Sequence, residues 1–170
     1  MSIERDYNTI LKTVSTYRKK LASFSEDQWQ LTPPIGGWSY SEVYFHIFDA
    51  SILTLETLAD AAKGNGKEKR TSFIAKVILF FAGLPPGKKF QAPQRLTERL
   101  KKISREEAVA LIDQFVAQLD AEMPKIKTAS RFLKTRHPKL GYFNAFQWLR
   151  FTHIHLSHHL KQLDRIEKSF

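Results

Sequence analysis

Between residues 3 and 24 the apolar side chains Ile3, Tyr7, Ile10, Leu11, Val14, Tyr17, Leu21 and Phe24 recur at steps of three and four. That spacing lines one face of an α-helix. Gly36-Gly37-Trp38 interrupts the pattern, and Ser39-Tyr40-Ser41-Glu42 follows. In such a capping box the Ser side chain accepts from a free amide of the first turn while the Glu bonds back to the cap. A second helix is therefore expected from about Ser39 to Ala62. Its apolar residues Val43, Phe45, Ile47, Phe48, Ile52, Leu53, Leu55 and Leu58 spread around the helix, as an element packed on more than one side requires. Lys63-Gly64-Asn65-Gly66 closes it. A shorter helix is predicted over 72–82, and the prolines of 84–93 predict a loop. Ser104 to Glu107 repeats the capping box and opens a third long helix to about Met123, with Ala108, Leu111, Ile112, Phe115 and Leu119 as its buried stripe. Residues 124–143, with Pro124, Pro138 and Gly141, read as a connection. Asn144 to Gln147 offers a third cap, and the last helix runs to about Lys168. No segment alternates with period two for long enough to predict a strand. The expectation is an all-α fold, an up-and-down four-helix bundle with an additional short helix, in one domain spanning 1–170.

Composition narrows the chemistry. Hydrophobic residues make up 42% of the 170 and charged residues 26%, a globular balance that excludes a disordered chain. There is no cysteine, so no disulfide, thiolate metal site or cysteine nucleophile exists, and a bound metal must use nitrogen or oxygen. The first residues are charged, and the longest apolar run, Val77 to Leu84, is far shorter than the roughly 20 residues that span a bilayer. A cytoplasmic protein without a membrane partner is the expectation. The net charge of +10 points towards an anionic partner, but it is unevenly distributed. Residues 1–62 carry −3, residues 63–105 carry +10 and residues 106–170 carry +3.

Six histidines occur, at 46, 137, 153, 155, 158 and 159, and four of them crowd one stretch of the last helix. At about 100° per residue, His155 and His159 share a face with Trp148, Thr152, Gln162 and Ile166, while His153 points nearly opposite. Imidazoles at i and i+4 can present nitrogens to one metal ion. His46 in the second helix is the candidate third ligand, on the side of Val43, Ala50 and Leu53 and flanked by Glu42 and Asp49. Three imidazoles with an open position are the pattern of a catalytic metal. Ordinary surface or hydrogen-bonded core histidines would give the same spacing. His158 turns to the edge of the face, where it is an alternative ligand, a support for the ligands or simply exposed. His137 reads as a loop residue.

The stretch Gly37-Trp38-Ser39-Tyr40-Ser41-Glu42-Val43-Tyr44-Phe45-His46-Ile47, with His137-Pro138-Lys139-Leu140-Gly141 and His155-Leu156-Ser157-His158-His159-Leu160-Lys161-Gln162 later in the chain, resembles the DinB/YfiT-like superfamily of metal-dependent enzymes. The resemblance covers nearly the whole chain. It implies a four-helix bundle and a divalent metal, zinc or nickel, on His46, His155 and His159. Gln162 matches the family's signature, where its amide would orient a ligand or water; a buried amide capping a neighbouring backbone group is the structural alternative. Relatives include thiol-dependent S-transferases and maleylpyruvate isomerases, so a small-molecule substrate and a low-molecular-weight thiol as co-substrate are implied. The residues themselves do not choose between hydrolase and thiol-transferase chemistry. Glu42 and Asp49 are candidates for proton shuttling or for supporting His46, although Glu42 already has a role in the capping box.

Two further readings compete. In the first, Lys63, Lys67, Lys69, Arg70, Lys88, Lys89, Arg95, Arg99, Lys101, Lys102 and Arg105 form a non-enzymatic anion- or nucleic-acid-binding surface. No DNA-reading motif accompanies them, and a solvated excursion explains the charges as well. In the second, Phe80 to Leu84 forms a homodimer contact, a lid over the metal, or part of the core.

Overall fold

The computed structural model describes residues 2–83 and 98–170. In chain order its elements are α1 (Ile3–Ser23), α2 (Glu26–Trp29), α3 (Tyr40–Ala62), β1 (Lys67–Glu68), α4 (Phe73–Phe81), α5 (Arg105–Thr128), β2 (Leu133–His137), β3 (Gly141–Phe143) and α6 (Ala145–Glu167). Four long helices form the bundle. The capping signals operate as expected: Ser39 with Glu42, Ser104 with Glu107 and Asn144 with Gln147 each form a reciprocal capping box at the head of α3, α5 and α6. Gly36 and Gly37 both adopt positive φ, +77° and +87°, a conformation costly for residues with a Cβ. They turn the chain so that Trp38 and Ser39 deliver it into α3.

The broad apolar distribution of α3 has the expected consequence. Among its fully buried side chains are Val43, Tyr44, Ile47, Phe48, Leu55 and Leu58, and it packs against both α5 and α6 while α1 also packs on α6. Tyr17, Tyr44, Phe48 and Phe115 meet edge-on or tilted at the centre, with ring centroids 5.3–6.2 Å apart. Buried phenols need partners. Tyr44 of α3 donates to the backbone oxygen of Tyr17 in α1 at 2.7 Å, and Tyr17 donates to that of Leu156 in α6 at 2.8 Å.

Two features depart from the sequence expectation, and a third narrows an open alternative. A three-stranded antiparallel sheet, in the order β1-β2-β3, occupies part of what read as connections. Thr135 pairs with Phe143, Arg136 with Tyr142 and His137 with Gly141, so Pro138 and Gly141 mark a hairpin turn rather than an irregular link. The strands have two, five and three residues, too few to display a period of two. Thr135 ties the sheet to the bundle, donating to Thr57 O of α3 and accepting from Trp148 Nε1 of α6. Second, α5 continues through Pro124 to Thr128. A proline there removes one helical hydrogen bond, but Ile126 beyond it is fully buried and holds the last turn on the core. Third, Phe80 and Phe81 are 78% and 73% exposed, so core packing does not describe them. Leu84 and the expected loop over 84–93 lie outside the described residues.

Replacing Tyr17 by Phe deletes its buried hydrogen bond from α1 to Leu156 O of α6 with little change of shape. Chemical denaturation is expected to show a loss of about 1 kcal/mol with an unchanged denaturant slope. No measurable loss would contradict the role given to this phenol.

Candidate metal centre

His46 lies on the second turn of α3, two residues beyond Tyr44, and His155 and His159 lie on successive turns of α6. The register set by the phenol bonds brings the three rings together. One nitrogen from each imidazole lies within 4.8 Å of the other two. Ring centroids are 4.9 Å apart for His46 and His159, 5.8 Å for His46 and His155, and 4.7 Å for His155 and His159. His46 and His159 are buried and His155 is half-buried, so the cluster lies at the edge of the core with one side towards solvent.

Burial disfavours the charged imidazolium. Desolvation pushes the His46 pKa down to about 4, against a smaller upward pull from Asp49. It pushes His159 down to about 3, helped by His46 and His158. His155 is also held well below the ordinary imidazole value, by burial and then by the neighbouring histidines. All three are neutral near pH 7 and carry a free lone pair. For His159 the available nitrogen is identified by its neighbour. Its Nδ1 lies 2.8 Å from Gln162 Oε1; a carbonyl oxygen only accepts, so Nδ1 carries the proton and Nε2 keeps the lone pair. Three neutral nitrogen donors, one fixed in its tautomer, suit a divalent transition-metal ion.

The other candidates fall elsewhere. Glu42 is committed to its cap, accepting from Ser39 N at 2.8 Å and Ser39 Oγ at 2.7 Å. Asp49 grips the Arg99 guanidinium with both oxygens, at 3.0 and 2.6 Å, and reaches His46 only through its field. His158 lies beside His159 at 5.1 Å between centroids and is outside the cluster of three. His153, as the helical projection requires, faces away and joins Arg150 in bonding the buried Asp6 of α1.

Several neighbours were not legible as such. His137 is the last residue of β2 rather than a loop residue; its Nδ1 accepts from the backbone amides of Lys139 and Leu140. Its ring packs against Phe151 at 4.8 Å, and Phe151 stacks on His155 at 5.8 Å with planes 12° apart. Phe151 stands at i−4 from His155, a spacing that also suits ordinary core packing. Trp38 leans on His46 at 4.9 Å. Part of the basic segment is bonded back to the bundle: Arg99 holds Asp49, Lys102 donates to Gln30 O, and Arg105 donates to the backbone of Leu21 and Phe24 and pairs with Glu26. Lys88, Lys89 and Arg95 lie outside the described residues.

The depressed imidazoles fix a pH dependence. A group whose folded pKa lies below its unfolded value of about 6.5 binds protons preferentially in the unfolded chain. The metal-free protein is therefore expected to lose stability progressively as pH falls from about 6.5 towards 4. His137, pushed by burial down to about 4, adds to the effect. Urea unfolding midpoints measured across that window test this; a flat midpoint from pH 6.5 to 4.5 would contradict the burial of neutral histidines.

A family model for the DinB superfamily matches residues 10–163. No curated protein matches the chain. Among solved structures, a four-helix bundle protein, TT2238, superposes with a TM-score of 0.57 at 21% identity, over 94% of this chain and 98% of its own. The mycothiol-dependent maleylpyruvate isomerase superposes with a TM-score of 0.61 at 14% identity, and a point mutant of it with 0.63 at 13%. This chain is covered over 94% in both comparisons and spans 60% of the isomerase's length. At these identities the likeness is one of fold. No helix among the described residues is long and apolar enough to cross a membrane.

Proposed function

The chain belongs to the DinB superfamily, and we propose on that footing that it is a metal-dependent enzyme acting on small molecules, with His46, His155 and His159 holding one divalent ion. The observation that carries this reading is the convergence of three neutral imidazole nitrogens within 4.8 Å at the edge of the core. Imidazole donors suit zinc or nickel. A divalent ion held this way supplies positive charge that polarises a bound group or stabilises a thiolate.

The protein's own residues do the rest. Burial keeps the three rings neutral, so protons do not compete for their lone pairs near pH 7. Gln162 holds the proton of His159 on Nδ1 and so leaves the lone pair on Nε2. Phe151 stacks on His155 and Trp38 packs at a tilt against His46. Among the described residues no carboxylate joins the three histidines; Glu42 and Asp49 are bonded to Ser39 and Arg99. With no cysteine in the chain, a thiol enters as a co-substrate. The fold shared with a mycothiol-dependent enzyme supports a low-molecular-weight thiol as that co-substrate, with hydrolase and thiol-transferase chemistry both open to the site.

Metal analysis after gentle purification, followed by incubation with zinc, nickel or manganese, is expected to give one ion per chain. His46→Ala, His155→Ala and His159→Ala should each abolish stoichiometric binding while the helical circular dichroism is retained. A wild-type chain that takes up none of the three metals would overturn the reading. Gln162→Leu removes only the partner of Nδ1, and competition against a chromophoric chelator should show metal affinity lowered roughly 10–100-fold. Affinity equal to wild type would assign Gln162 a purely structural role.

A further inference from the structure

Phe80 is exposed, yet it does not stand on a flat surface. With Lys76 and Leu79 of α4, Arg5 of α1, and Gln147 and Arg150 of α6, it lines a cleft of about 380 Å³. Small-molecule sites run from roughly 300 to 1,000 Å³. The cleft is separate from the candidate metal centre. None of the three histidines, nor the rings packed on them, lines it, and Arg150 bonds Asp6 beside His153, the histidine that faces away from the cluster.

Each polar residue of the lining keeps a donor unspent. Arg150 is held by Nη1 on Asp6 Oδ1 and by Nε on Leu79 O at 3.3 Å; its Nη2 has no partner among the described residues. Gln147 Oε1 accepts from Asn144 N at 3.1 Å, which makes Nε2 its remaining donor. Arg5 and Lys76 are exposed, and no acidic side chain among the described residues pairs with either. The carboxylates next to Arg5 in sequence turn elsewhere, Glu4 to Lys127 at 3.7 Å and Asp6 to Arg150. No carboxylate among the described residues lines the cleft. Helix stability does not account for the two free cations. Arg5 is the third residue of α1 and Lys76 the fourth of α4, and the dipole disfavours positive charge at that end of a helix.

We propose that this cleft is a second binding site, for a phosphomonoester carried on an apolar group. Asp6 offsets one of the three cationic charges, which leaves two for a group of charge close to −2. Two guanidinium groups, an ammonium and an amide match the three free oxygens of a phosphoryl group better than the two of a singly charged carboxylate. Arg150 is the fixed part of the set, since Asp6 and Leu79 O hold its guanidinium. Arg5 and Lys76 bring charge from α1 and α4. Leu79 and Phe80 supply apolar lining, and the organic part of the ligand gives the Phe80 ring, 78% exposed, something to pack against. The inference stands independently of the metal-dependent reading.

Titration calorimetry of the full-length chain in phosphate-free buffer tests this, with phenyl phosphate, inorganic phosphate and benzoate as probes. Phenyl phosphate is expected to bind saturably and more tightly than either of the others. The double variant carrying Arg5→Gln and Lys76→Gln is expected to weaken it roughly tenfold or more while the thermal midpoint stays at the wild-type value. Phe80→Ala is expected to narrow the margin between phenyl phosphate and inorganic phosphate and to leave inorganic phosphate unaffected. Absence of saturable binding, benzoate bound as tightly as phenyl phosphate, or full affinity in the double variant would overturn the proposal. The His155→Ala variant separates this site from the metal centre. Unchanged affinity there supports the cleft whether or not a metal is bound, whereas lost affinity would put the anion at the histidines and refute it.

Discussion

Two buried phenolic hydrogen bonds hold the register on which the rest of the molecule depends. Tyr44 to Tyr17 O and Tyr17 to Leu156 O link α3, α1 and α6 in sequence, and both acceptors are helix-interior carbonyls that use a second lone pair. His46 is two residues from one end of this chain and His155 is adjacent to the other. A shift of α6 by one turn would move its histidines about 5 Å, more than the spread of the imidazole nitrogens themselves. An apolar pair at these positions would bury similar area without setting a direction. The phenols add the directional restraint that a ligand cluster shared by two helices requires.

The same economy governs the charges. Four acidic side chains of the two helices that carry the histidines are each bonded to a partner that serves the fold: Glu42 to the α3 cap, Asp49 to Arg99, Asp164 and Glu167 to Lys20. The imidazoles are left as neutral donors. The strongly basic stretch after α3, which in bulk suggests a nucleic-acid partner, contributes Arg99, Lys102 and Arg105 to contacts that join it to α1, α2 and α3. Part of the net charge is thus structural mortar.

The helices were legible because their signals are local and redundant. Stripes at three and four residues and three capping boxes mark α1, α3, α5 and α6, and the face shared by His155 and His159 follows from helical period alone. His46 entered as a candidate from its position on α3, reinforced by family resemblance. What the sequence concealed depends on contacts distant in the chain. The sheet is built from strands too short to alternate visibly, and Pro138 and Gly141 signal a turn without revealing which strands flank it. Pro124 argues for a helix end that the burial of Ile126 overrides. Arg99 as the partner of Asp49, and the packing of His137 through Phe151 onto His155, join segments whose proximity no local pattern encodes.

If His46, His155 and His159 form one ligand set, a bound zinc ion senses all three rings at once. Zinc K-edge X-ray absorption on the stoichiometrically loaded protein tests this directly. The expected spectrum shows three nitrogen donors at about 2.0–2.1 Å with the outer-shell scattering of three imidazole rings, and loss of one ring in His46→Ala where residual zinc is bound. A first shell of oxygens, or scattering from a single imidazole, would contradict a shared ligand set.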